Sequence, residues 1–262
     1  PRYAVVMAAS GGSRGGAPRR PARVTRPTNG KAGRGGAPRK ATAKKTTPSR
    51  GVTPGPAGAP MLPPGPFRLG AVEGATPGKW IDTWKARHPG IPLDLIPLGL
   101  DDQHEALMAH AVDAAIVRLP IDRTGLHVIP LYDEVPVVVC AADSHLTAAE
   151  ELTLADLADE IVIVPRQAPL HIEVPGSVSP RFAPPGSVGE AIATVAAGVG
   201  VVIVPMSLAR LHHRKDVAHR PLVDGPASPV ALAWAAGADG ETPTLVDAFI
   251  GIVRGRTANS SR

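Results

Sequence analysis

The chain has 262 residues, 44% of them hydrophobic, enough for one or two packed cores. Its formal charge of +5 is unevenly shared: residues 1–66 hold 13 Lys and Arg and no acidic residue, leaving 15 of the 28 basic and all 23 acidic residues to the remainder. A uniformly basic protein is thereby excluded, as are an intramolecular disulfide (there is one cysteine) and a membrane-spanning helix, which needs ~20 consecutive apolar residues.

Residues 1–66 are rich in Gly, Pro, Ala, Arg and Lys and lack apolar periodicity, so this segment is expected to be a disordered tail. Arg14-Gly-Gly-Ala-Pro-Arg19-Arg20 returns as Arg34-Gly-Gly-Ala-Pro-Arg39-Lys40, and Lys44 and Lys45 follow. Such cations suit non-specific, salt-sensitive contact with nucleic acid by counterion release. The apolar stretch Ala4–Ala9 is too short for the core of a signal peptide, and the single Cys140 lies in an apolar run, which together suggest a cytoplasmic protein.

The body, 67–262, alternates strand and helix patterns. Phe67–Val72 reads as a buried strand. A helix follows, with Thr76 as N-cap, Pro77 in its first turn and Trp80, Ile81 and Trp84 on its inner face; His88-Pro89-Gly90 stops it. Ile91–Leu98 reads as a strand with Ile91, Leu93 and Leu95 on one face, Asp101–Ala111 as a helix and Asp113–Val117 as a strand. Two more strands, Leu126–Leu131 and Val135–Ala142, flank Tyr132-Asp133-Glu134. Thr153 and Asp156 match a capping box before a short helix, and Ile161–Val164 reads as a strand. Ser187 and Glu190 form a second capping box, opening a helix that buries Val188, Ala191, Ile192 and Val195 and ends at Gly198. Val201–Val204 and Val230–Trp234 are further strands. Thr242-Pro243 caps a last helix with Leu245, Phe249 and Ile252 inside. The alternation implies an α/β fold with largely parallel sheets.

Three segments carry a family likeness in register: Asp113-Ala-Ala-Ile-Val-Arg118, Leu152-Thr-Leu-Ala-Asp-Leu157 and Val195-Ala-Ala-Gly198-Val-Gly200-Val-Val-Ile-Val-Pro205. Together they resemble the effector-binding half of LysR-type transcriptional regulators. The resemblance covers 67–254 and implies a bilobed fold like a type 2 periplasmic binding protein. Lobe one would be 67–142 plus 224–262 and lobe two 143–223, with an effector between them. Residues 1–66 match neither the helix-turn-helix nor the dimerisation helix of that family. Self-association through the lobe faces is a further implication.

Candidate ligand-binding residues follow. Gly74 and Thr76 lie between the first strand and first helix, where unpaired N–H groups favour an anion. Leu100 ends the second strand, where the family often places a hydroxyl. Arg118 ends the third and could hold a carboxylate bidentately, or else pair with an acid such as Asp122. Arg166, Gln167 and Ser187 would face the cleft from lobe two. The expected ligand is a small-molecule effector, an organic anion. No cofactor is implied. Gly74-Ala-Thr-Pro-Gly78-Lys79 has the wrong spacing for a phosphate loop, and His104 and His110 are six apart, off one helical face, so no metal site is expected. The leading expectation is a non-enzymatic effector-binding protein tied to transcription. Alternatives are a nucleic-acid-associated protein acting through its tail, and an enzyme on the same bilobed fold.

Overall fold

The computed structural model of the chain describes residues 62–63, 65–237 and 239–255. The tail cations named above, Arg14 to Lys45, lie outside the described residues.

Among the described residues, eight strands form two sheets. In the first, the order is β2 (Leu93–Leu98), β1 (Phe67–Val72), β3 (Ala114–Arg118), β8 (Ser228–Ala235), β4 (Leu126–Glu134). β1 runs parallel to β2 and β3, whereas β8 is antiparallel to both its neighbours. The second sheet places β5 (Pro136–Ala141) between β6 (Val202–Pro205) and β7 (Val217–Pro221), all antiparallel. The expectation of largely parallel sheets thus holds only for the β2-β1-β3 half of the first sheet.

Both sheets are covered on both faces, which explains their near-continuous apolar strands. On the first, α1 (Gly78–Arg87) and α5 (Thr244–Val253) bury Trp84, Phe249 and Ile250 against Phe67, Leu69, Ile116, Leu232 and Trp234. Phe67 and Trp84 stack with centroids 4.8 Å apart. α2 (Gln103–Met108) contributes Leu107 to the other face, with Val117, Ala231 and Ala233. On the second sheet, α3 (Val188–Ala196) packs Val188, Ala191, Ile192 and Val195 against Val137, Val139, Val202 and Val204. The opposite face holds Cys140 with Val138, Leu157 and Leu222. Burial raises the Cys140 thiol above its ordinary pKa.

Several boundaries differ from the sequence reading. Tyr132-Asp133-Glu134 continues β4 rather than breaking it, because each residue pairs with β8. β5 follows after Val135 alone and belongs to the second sheet, so the strand expected within 67–142 of lobe one lies with 143–223 instead. The helix expected over 101–111 is confined to Gln103–Met108. It ends where His110 takes a left-handed φ of 52° and both Ala111 and Val112 donate to the Ala106 carbonyl. Ile161–Val164 makes isolated bridges only. Pro205 ends β6 as expected but also opens an unanticipated helix, α4 (Met206–Leu211).

A cleft between the two sheets

β1 and β2 are parallel, so their carboxyl ends emerge side by side. This brings the Glu73-Gly74-Ala75 turn next to Gly99-Leu100, the usual position for a ligand site in a sheet of this kind. From the second sheet come Gln167, Ser187 at the start of α3, and Leu208 and Leu211 of α4. Together these residues line a cleft of about 720 Å³. Its walls are mainly apolar: Val72, Leu95, Pro97, Leu98 and Leu208. Leu95, read as sharing one strand face with Ile91 and Leu93, lies on the edge strand β2, is 49% exposed and forms cleft wall.

The two sides touch at the mouth. Gly74 has φ +84°, and a Cβ there would sit 2.7 Å from Ser207 Oγ and 2.9 Å from Leu208 Cδ2, so both backbone conformation and close approach require glycine. Among the described residues, three side-chain ties cross from one side of the cleft to the other. His212 Nε2 meets Glu73 Oε1 at 2.9 Å, the Gln167 amide donates to Asp101 at 3.2 Å, and the Ser207 hydroxyl donates to Glu134 at 2.7 Å.

Of the sequence candidates, the fold brings Gly74, Leu100, Gln167 and Ser187 to this cleft. Ser187 also caps α3, its hydroxyl accepting from Glu190 N at 3.2 Å. Glu190 completes only half of the expected capping box, since its carboxylate accepts from Gly186 N at 2.6 Å, one residue early.

The remaining three candidates lie elsewhere. Thr76 caps nothing: Pro77 is the N-cap of α1, with no side-chain bond. Thr76 instead borders an adjoining cavity of about 810 Å³ with Tyr132, Glu134, Ser207 and Arg210. Burial, aided by Glu134, raises the Tyr132 phenol above its ordinary pKa there. Arg166 is exposed and contributes its backbone N–H to the Pro185 carbonyl. Arg118, expected to face the ligand or else pair with an acid such as Asp122, does pair with an acid, but with Glu134 and in a buried pair rather than on the surface. It is 2% exposed, does not line the cleft, and donates from Nη1 to Glu134 at 3.0 Å and to Ser228. The ends of β3, β4 and the start of β8 lie together in the ladder, which supplies Arg118 with these distant partners. Its backbone N–H is taken by the buried Gln103 side chain at 2.7 Å. Sequence reasoning missed Glu73, Asp101, Ser207 and His212 as contacts across the cleft. No local signal marks them, for the Glu73–His212 pair spans 139 residues.

Residues 62–258 match the family model described as LysR substrate binding domain. The chain is 33% identical over 154 residues to the HTH-type transcriptional regulator CatR of Pseudomonas putida, covering 53% of this chain and 52% of that protein. It is 29% identical over 149 residues to AlsR of Bacillus subtilis, covering 53% of this chain and 49% of that protein. The chain therefore spans about half the length of the curated relatives it matches. Among solved structures, the BenM effector binding domain with its effector benzoate superposes with a TM-score of 0.59 at 23% identity, over 75% of this chain and 96% of that one. The reduced form of OxyR gives 0.61 at 20% identity, over 75% and 98%.

Proposed function

The chain belongs to the LysR substrate-binding domain family, and from that premise we propose that it senses a small organic acid in the cleft between its sheets and relays occupancy to transcription without chemical turnover. The observation that carries this reading is that residues from both sheets line one mainly apolar cleft. A ligand there touches both sides at once, so its binding energy bears on their relative arrangement. The apolar body of the acid lies against Leu95, Pro97, Leu98 and Leu208. Its carboxylate meets the Ser187 hydroxyl, the Gln167 amide and the Val188 and Gly189 N–H groups at the start of α3, which have no intrahelical acceptor. Arg118, committed to Glu134, takes no part in contact. BenM is a relative whose effector, benzoate, has this build.

The test is a thermal-shift panel on the full chain, pairing each carboxylic acid with its primary amide. A ligand at 100 times its Kd adds about 2.7 kcal/mol to stability. At least one acid is expected to stabilise where its amide does not, and Ser187→Ala to reduce that ligand-induced shift. The shift, rather than the bare Tm, is the readout, because losing the cap itself costs about 0.5–2 kcal/mol. Amides matching their acids would refute the anionic head group; no stabilisation by any member of a broad panel would refute the sensing role.

A further inference from the structure

A separate cavity of about 320 Å³, sharing no lining residue with the cleft, lies between the edge strand β4 and α5. His127, Trp234, Thr242, Asp247 and Arg254 line it. His127 and Trp234 are cross-strand partners in the β4–β8 ladder, their rings 5.4 Å apart and tilted by 32°. Both carry a buried ring nitrogen, His127 Nε2 and Trp234 Nε1, with no hydrogen-bond partner among the described residues. Trp234 is 5% exposed. Trp84, equally deep in the same sheet's core, donates its Nε1–H to the Ile91 carbonyl at 3.0 Å. Trp234 has no such acceptor. A buried N–H without an acceptor disfavours the folded state, and buried indoles ordinarily find a partner.

The chemistry of the lining defines what would supply it. An indole Nε1–H only donates, and a guanidinium only donates; His127 Nε2 donates in its Nε2-protonated or charged form, and the Thr242 hydroxyl can donate as well. The incoming group must therefore bring acceptors. Arg254 adds a permanent positive charge, while Asp247, on the same α5 face seven residues earlier, opposes a multiply charged anion.

We propose that this cavity is a second binding site, for a singly charged oxoanion, either a carboxylate or monobasic phosphate. Trp234 and His127 supply the donors, Arg254 the counter-charge. The proposal stands apart from the effector reading of the cleft.

The indole N–H signals of the three tryptophans test it by heteronuclear NMR on the full chain. Acetate and phosphate are titrated separately below the second ionisation of phosphate, against sodium chloride at matched ionic strength. Trp234→Phe, which keeps an aromatic ring but not the N–H donor, assigns the signal; should that variant not fold, through-space contacts to the His127 ring assign it instead. The Trp234 signal is expected to shift saturably with one or both oxoanions and not with chloride, and the anion that saturates it identifies the source. Arg254→Gln, at an exposed position, should weaken that affinity by about tenfold or more. A Trp234 signal that follows ionic strength alone, as an indole bonded only to water would, overturns the proposal. So does an unchanged titration in Arg254→Gln.

Discussion

Replacing Arg118 by Met keeps much of the side-chain volume and removes the cation. Glu134, 9% exposed, would then hold its charge with only the Ser207 hydroxyl as a donor among the described residues. Removing one partner of a buried ion pair costs roughly 3–5 kcal/mol, most of it from the stranded charge. Here the loss should fall near the lower end. Arg118 Nε and Nη2 are buried without partners among the described residues, so the parent already bears part of the desolvation cost of its guanidinium. The expected loss is therefore about 3 kcal/mol. Arg118→Met combined with Glu134→Leu removes both charges and should recover to within about 1 kcal/mol of the parent. Urea unfolding followed by tryptophan fluorescence measures both, provided the m-values agree. The guanidinium does not line the cleft, so the folded Arg118→Met variant should keep effector affinity within about threefold by calorimetry, a difference under 1 kcal/mol. A single variant within about 0.5 kcal/mol of the parent would refute the buried-pair reasoning. Loss of affinity with stability intact would restore Arg118 to the ligand.

Two further outcomes are open to measurement. Gly200 has φ +64°, and a Cβ there would overlap the Ile161 carbonyl; Gly200→Ala should cost about 2–4 kcal/mol in urea unfolding, from left-handed strain and overpacking together, and a loss below about 1 kcal/mol would show that the 161–162 bridge yields easily. Burial, then Arg87, holds the His88 imidazole below its ordinary pKa, and burial, then Arg210 and Arg220, does the same for His219. The unfolded chain therefore takes up these protons first, so their contribution is fully present above about pH 6.5 and is lost as pH falls through the lowered folded values. The urea midpoint should drop across that window and drop less in His88→Gln/His219→Gln; an identical slope in the double variant would remove the histidines as its source.

Much of this fold is legible locally. The Thr153–Asp156 capping box forms as read, with Asp156 Oδ2 accepting from Thr153 N at 2.7 Å, and α3 buries the four residues its spacing selects. Readings fail where a distant partner decides. Tyr132-Asp133-Glu134 looks like a polar interruption because nothing nearby shows that β8 will pair with it. Pro205 looks only like a stop because the residues after it form a helix packed on β5 and β6. For the cleft, the family resemblance points to Gly74, Leu100 and Ser187, at strand ends and a helix start, and all three line it. Sequence leaves Arg118 open between two roles: a guanidinium suits a ligand carboxylate and an acid such as Glu134 equally, and only the ladder register chooses.

The strand order carries a consequence for synthesis on the ribosome. β5, β6 and β7 come from one uninterrupted stretch, Pro136–Pro221, whereas β8 inserts between β3 and β4 from the far end of the chain. Arg118 must wait for Ser228, 110 residues later. At about 5–20 residues per second, that is an interval of roughly 5–20 s during which β4 has no strand neighbour and the Arg118–Glu134 charge pair cannot be sealed from water. The second sheet can close early, while the first stays open until β8 emerges, making the nascent chain most exposed to mispairing along β3 and β4.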